Sequence, residues 1–446
     1  MTITESISEY LLSLQFQRLP SDILEICKLT ILDTIGCGIF GSKTDSAPKL
    51  VDALLGIDRT PDCTIWGYNQ KTSTCGAALA NGTLSHSFEL DDCLYDTHAG
   101  AVIIPAALAV GEKEHAKGMD LMSAVVGAYE ALGRINSGFN RLAIDARGWH
   151  PTGILGSFGA AAAAGKLLGL SKDQMVMALG LAGSYSGGIW AFLADGSMSK
   201  RYHAGKASQT GVLAAYIARE GFTGPRQVLE AKYGGFYDTY VPESSDSSRV
   251  LEGIGKSYMI AEKEFKPYPT CSATHSAIDS VIRLRQTYDF TTDDVAKIII
   301  FLHPSDRKVT DKLEINTILD AQMSMQYAVA LAAKYGHIKP EHFNESILRS
   351  KEISQVASKI QLLDESRVDE LEVYVELHLK DNRVLKQHVV RPTGTRENPM
   401  RPSQIEDKFM HLTQTVLSKQ RARKILDTVM AMEEVDAGTL CCLLGT

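Results

Sequence analysis

Residues 153–168 read GILGSFGAAAAAGKLL, and this run limits the fold more than any other in the chain. It is apolar on every side until Lys166, and nearly all its side chains are small. A helix of that composition has no face suited to water, so it belongs inside a bundle. Small residues also let helix axes approach closely. Further helices are expected at 73–90, 104–115, 119–137, 171–182 and 203–220, many of them also rich in Ala and Gly. Residues 22–35 add a helix of the ordinary kind, with Ile23, Ile26, Cys27, Ile31 and Ile35 near a 3.6-residue period. Pro20, Asp22 and Glu25 supply its start signal. The expected architecture is mainly α, with a compact helical core holding several fully buried helices.

The texture changes after EKEFKPYPTCSATH. VAKIIIFL (295–302) reads as a strand, and ELEVYVELHLKDNRVLKQHVV (370–390) alternates about a KDNR turn. Helices are expected at 273–288, 321–335 and 341–348. Residues 393–402, TGTRENPMRP, form a Gly/Pro linker, and helix returns over about 403–434. The simplest organisation is a discontinuous all-helical domain (1–264 and 397–446) with an α+β lid domain (265–396) inserted. A chain of 446 residues is long enough for two cores. The gap between them is where a small ligand is expected.

Bulk properties exclude several classes. A net charge of −7 without a dense basic stripe argues against nucleic acid as partner, and means that an anionic substrate needs a local cationic pocket. No apolar run reaches the roughly 18 residues a membrane span needs. The opening MTITESISEYLLSLQ has acids and no basic n-region, which argues against a leader and for the cytoplasm. Eight scattered cysteines without C-x-x-C read as reduced thiols rather than a zinc site. GAAAAAGKL has five residues between its glycines where a phosphate loop has four, and Leu167 where magnesium needs Ser or Thr. GSFG and GSYSG both miss the nucleophile elbow. H-E-x-x-H is absent, and no histidine pair has metal-ligand spacing, so neither metal nor cofactor is expected.

Four segments concentrate titratable groups beside helix starts. HSFELDDCLYDTHAGAVIIPAALA (86–109) carries Glu89, Asp91, Asp92, Asp96 and His98, then enters an apolar helix near Pro105. GWHP places His150 before the small-residue helix. DGSMSKRYHAGKA (195–207) gathers Lys200, Arg201, His203 and Lys206. FKPYPTCSATHSAID (265–279) brings Lys266 and His275 to the junction, and Tyr327 starts a helix in AQMSMQYAVALAA. Each has a structural role to account for it alone: acids cap helices, histidines fill cores, charges face water, tyrosines pack. Taken together, cations, several histidines and a tyrosine suit a polycarboxylate pocket. The chemistry that fits is proton transfer at a carbon next to a carboxylate or carbonyl, with cationic donors stabilising the charge that develops. Loss of hydroxide, loss of CO₂ and reprotonation on the other face remain three outcomes of that start.

These segments, with KRYHAGKASQTGVLAAYIAREGFTGP and GTRENPM, resemble the MmgE/PrpD family over nearly the whole chain and in the family's order. The resemblance implies a helical domain with an α+β lid, a homodimer, and a cofactor-independent enzyme acting on a small di- or tricarboxylic acid. Dehydratase, decarboxylase and, as an alternative, epimerase activities are all implied; a non-catalytic binding protein on the same fold is the reading from another class. Residue by residue, it implies His98, His150, His275, Lys200 and Tyr327 as catalytic, and Asp91, Asp92, Arg201, His203 and Lys266 as substrate-binding. ELDDCLYDTHAG departs from the DFND-plus-tryptophan pattern of the dehydratase branch, and Ala-Gly follows His98 where Pro-Gly or Pro-Ser is commoner.

Overall fold

The computed structural model describes residues 1–139, 144, 147–242 and 245–446. The fold is mainly α. Its first part runs through α1 (Ile3–Ser13), α2 (Ser21–Gly41), α3 (Ser46–Ile57), α4 (Thr74–Ser85), α5 (Ala99–Lys113), α6 (Gly118–Ser137), α7 (Pro151–Leu167), α8 (Lys172–Ser184) and α9 (Ser199–Arg219). The small-residue run is α7, buried at every position from Pro151 to Gly165. It packs against α5, α6, α8 and α9. A β-carbon on Gly211 of α9 would lie 2.4 Å from both the Ala160 Cβ and the Ala161 backbone nitrogen of α7. One on Gly205 would lie 2.2 Å from the Leu79 carbonyl of α4. Backbone meets backbone at both crossings, which only glycine permits.

Helix α5 begins at Ala99, so Pro105 lies inside it rather than at its mouth. The reason is remote in sequence: Asp92 Oδ1 accepts the Gly100 N–H at 2.6 Å and secures the first turn six residues earlier than the proline marks it.

The second core is built on a four-stranded sheet of order β2-β1-β3-β4, from β1 (Val295–Leu302), β2 (Ile360–Asp364), β3 (Val373–Leu379) and β4 (Val384–Val389). β1 pairs parallel with β2 and antiparallel with β3, with Ile298 opposite Leu377. Val373, Val375, Leu377 and Leu379 turn inward on alternate positions, as the sequence pattern requires. The KDNR turn closes β3–β4 through Leu379 N–H to the Arg383 carbonyl at 2.9 Å, with Asn382 left-handed at φ 73°. β2 was not expected. Helices α10 (His275–Thr287) and α11 (Met325–Tyr335) are the expected 273–288 and 321–335. Residues 341–348 form a 3₁₀ turn and one α-turn instead of a single helix.

The chain then returns to the first core with α12 (Pro402–Thr413), α13 (Lys419–Met430) and α14 (Ala437–Leu444). Phe409, Ile425, Leu440 and Leu444 share one apolar cluster with Ile31, Leu132 and Phe158. The two segments that cross between the cores touch: the Phe265 N–H donates to the Gly394 carbonyl at 3.0 Å. All eight cysteines are free thiols. Among the described residues no helix is long and apolar enough to cross a membrane.

Candidate active site

The site grows from three helix mouths that converge. α4 ends at Ser85, and the chain leaves it through His86 into the acidic loop. α5 opens at His98, and α7 opens at His150 with Pro151 at its first position. Glu89 sits in the left-handed region at φ 56°, as do Tyr95 and Asp96 at 47° and 62°. Left-handed non-glycine residues are uncommon and gather where a loop must aim side chains.

Asp91 faces the histidines. Its carboxylate lies 3.2 and 3.1 Å from His86 Nδ1, and its Oδ2 lies 3.0 Å from His98 Nδ1. The imidazoles hold it far below the usual carboxylate range, overcoming a burial that pushes the other way. Asp92 points backward, away from these rings. It secures α5, accepts the Tyr129 hydroxyl, and has Lys263 Nζ at 4.0 Å. Burial raises Asp92 to about 6 against the pull of Lys263. Asp91 is thus the acid in the cluster, and Asp92 supports the loop behind it.

The rings form a chain. His86 is 4.1 Å from His98 by centroid and stacked 6.2 Å from His150. His150 Nδ1 lies 3.0 Å from His203 Nδ1, and Trp190 and Phe192 stand edge-on to His150 at 5.2 and 5.5 Å. Burial keeps His86, His150 and His203 proton-poor, with His86 and His203 lowered to about 4. Lys200 pairs with Glu89, and Lys266 Nζ lies 3.3 Å from the other oxygen of the same carboxylate. Burial opposes the charge of Glu89, but the two ammonium groups hold it well below its ordinary value. Arg201 Nε donates to the Ser87 carbonyl at 2.9 Å, and its side chain lines a cavity of about 180 Å³ with Phe88 and Ile318. That cavity opens between the helical body and the α+β unit. A second hollow, of about 690 Å³, has Arg226, Tyr233 and Tyr240 on its walls and no histidine.

His275 starts α10. Its Nε2 lies 3.2 Å from the Thr270 carbonyl, so that nitrogen carries the proton, and Tyr268 stands edge-on at 5.3 Å. Burial lowers it to about 3, with the Lys266 charge acting in the same direction. Tyr327 keeps different company: its hydroxyl donates to the His342 carbonyl at 3.4 Å, its ring packs on Phe343, and burial pushes its pKa up. Lys206, in the same basic run, is exposed and reaches Gln209.

His86 was not among the candidates the sequence offered, and Glu89 stood there only as one acid of a run. His86 and Glu89 both lie in HSFELDD, and their signal was present: a histidine five residues before Asp91, and an acid able to neutralise two lysines. For a cation, the donor atoms of His86, Asp91 and His98 lie within 4.8 Å of one another, a spacing that a divalent ion could bridge. The imidazole–carboxylate contacts account for that closeness without one.

Comparison with known proteins places the whole chain. The model of the MmgE/PrpD N-terminal domain matches residues 5–248, and that of the MmgE/PrpD C-terminal domain matches 268–434. Human cis-aconitate decarboxylase is 27% identical over 99% of this chain and 94% of its own. A cis-aconitate decarboxylase-like protein, oryM, of Aspergillus oryzae is 26% identical over 99% and 97%. The 2-methylcitrate dehydratase of Salmonella typhimurium is 24% identical over 74% and 71%. Two domain models that together span most of the chain establish that it belongs to the MmgE/PrpD family.

Proposed function

We propose that this protein is a lyase that removes CO₂ from a cis-aconitate-like tricarboxylic acid without a metal or organic cofactor. One observation carries the reading: the buried Asp91 carboxylate joins the imidazoles of His86 and His98, His150 and His203 adjoin them, and Lys200 and Lys266 stand beside them on Glu89. That constellation can hold an anion and move a proton, and it needs nothing else for either task. Decarboxylation is favoured over dehydration because the decarboxylase relatives cover 97–99% of this chain and the 2-methylcitrate dehydratases 74–89%.

In this reading Lys200, Lys266, Arg201 and His203 bind the carboxylates that stay. The C–C bond to the departing carboxylate breaks, CO₂ leaves, and the electron pair remains on the carbon skeleton. An imidazolium among His98, His150 and His275 then delivers its proton to that carbon. Burial suits the step, because a histidine that gives up its proton readily is a strong acid once charged. Asp91 orients the rings, Asp92 supports its loop, and Tyr327 belongs to the lid wall. The active form is a cytoplasmic homodimer.

The test is a panel of cis-aconitate, citrate, 2-methylcitrate and iminodisuccinate, followed by NMR in heavy water after exhaustive chelation. Loss of CO₂ with one deuteron at carbon supports the proposal. Loss of water identifies a dehydratase, and deuterium wash-in without other change identifies an epimerase. Activity that vanishes on chelation and returns with zinc or iron overturns the cofactor-free mechanism.

A further inference from the structure

His86 is almost completely buried, with 1% of its surface exposed. One edge of its ring is committed, because Asp91 holds Nδ1. The other edge is not: Nε2 is buried and has no hydrogen-bond partner. Buried polar nitrogens are nearly always satisfied, and an unmet one calls for an explanation. The neighbours supply it. His98 lies 4.1 Å away and His150 is stacked at 6.2 Å, so His86 adjoins two residues that the proposed function uses as proton donors. A histidine kept only for packing would have both nitrogens bonded, or would be replaced by an apolar residue at lower desolvation cost.

We infer that His86 is a proton-transfer residue of this site, with Nδ1 fixed by Asp91 and Nε2 facing the substrate. Ionised Asp91 can only accept, so the proton on Nδ1 stays there and Nε2 is the end that exchanges. Charged groups facing the ring are Asp91, Glu89, His98, His150 and His203. In decarboxylation His86 acts from its imidazolium form, which an entering polycarboxylate favours over the neutral ring. The Nε2–H bond breaks and its proton joins the carbon that CO₂ has left, while the C–C electron pair forms the new C–H bond. The N–H pair stays on Nε2 as its lone pair, and Nε2 regains a proton from solvent for the next cycle. The inference rests on the decarboxylase reading above.

The two amide isosteres of histidine separate its ends: asparagine overlays Nδ1, and glutamine reaches Nε2. His86→Asn and His86→Gln would be purified as full chains and checked for native melting and circular dichroism. Turnover of cis-aconitate would be followed in heavy water beside the wild type. The expected result is a His86→Asn protein that is folded, binds with KM within threefold of wild type, and has kcat at least 100-fold lower. His86→Gln should also lose kcat, since its amide cannot donate and regain a proton at this acidity. A folded His86→Asn protein with more than half the wild-type kcat overturns the inference and leaves the decarboxylase reading intact. If both variants unfold, His86→Cys, which is smaller and apolar, replaces them with the same threshold. If the wild type itself turns over none of the acids, the functional reading fails and the role of His86 falls with it.

Discussion

At the scale of single residues, burial keeps four of the site's imidazoles, His86, His150, His203 and His275, neutral. His86 and His203 are lowered to about 4 and His275 to about 3, from an ordinary value of 6.5, and burial is the main cause in each. Unfolding releases them to that ordinary value, so the unfolded chain binds more protons between about pH 4 and 6.5. Stability therefore rises with pH through this window and is fully present above it. Asp33, Asp92 and Glu130, all raised by burial, work in the opposite sense, but they are three groups against five lowered imidazoles, His150 and His342 included. The melting temperature is expected to fall from pH 7 to pH 5, and His275→Asn should make that slope shallower. A flat profile would mean that the histidines titrate normally in the folded protein. The second expectation at this scale concerns Asp91. Asparagine there keeps the volume but offers an N–H to one of two rings that both need an acceptor, which turns a ring or its tautomer. A kcat loss of about 10²- to 10⁴-fold with native folding is expected, by analogy with other carboxylates that orient a catalytic histidine. Near-normal kcat in folded Asp91→Asn would remove its orienting role.

At the scale of elements, the small-residue helices are what bring the histidines together. His150 opens α7 and His203 lies in the first turns of α9, so the 3.0 Å contact between their rings depends on how closely the two helices pack. Gly211 sets that distance, because backbone and Ala160 lie where its side chain would go. Gly211→Val should destabilise by about 2 kcal/mol through overpacking, read as a lower melting temperature. It should also lower kcat by separating His150 from His203. A stable Gly211→Val enzyme with unchanged kcat would uncouple helix packing from chemistry.

The same element explains what the sequence made legible. A run with no polar face can only be buried, so α7 was readable from composition, and the alternation of β3 was readable from its own period. What escaped depended on remote partners. The start of α5 is set by an acid eight residues before Gly100, and β2 is a short edge strand, IQLLD, whose parallel partner lies some 60 residues upstream. On α9, Lys200 and His203 share a face, while Lys206 comes six residues after Lys200 and turns to solvent. Helical geometry decides this, but only once the buried face is known. Direction also hid the split between Asp91 and Asp92, which shows only in their partners, His86 and His98 for one and Gly100 and Tyr129 for the other.

At the scale of the whole molecule, the chain leaves the first core, builds the second and comes back, and the return touches the acidic loop. Lys408 on α12 is the link. Its ammonium group lies 2.7 Å from Asp33 Oδ1 on α2 and donates to the Leu90 carbonyl at 2.6 Å. Leu90 lies between Glu89 and Asp91, so this one bond ties the acidic loop to both ends of the chain. Asp33 opposes Lys408 in a buried setting, and its own charge is disfavoured by burial. The loop carries left-handed Glu89, so it stays in that shape only while its surroundings hold it. Losing the bond should let Asp91 drift from His86 and His98 without dismantling either apolar core. Lys408→Met keeps the length of the side chain and removes its donor, but leaves Asp33 unpaired. Lys408→Met with Asp33→Asn removes that penalty and is the cleaner probe. The double variant should melt within a few degrees of wild type and lose at least tenfold in kcat. Lys408→Arg, which keeps the charge and donors, should recover part of it. A double variant that is folded and fully active would mean that the C-terminal return serves stability alone. A loss in the double variant with partial recovery in Lys408→Arg would mean that the last segment of the chain positions the first residues of the site.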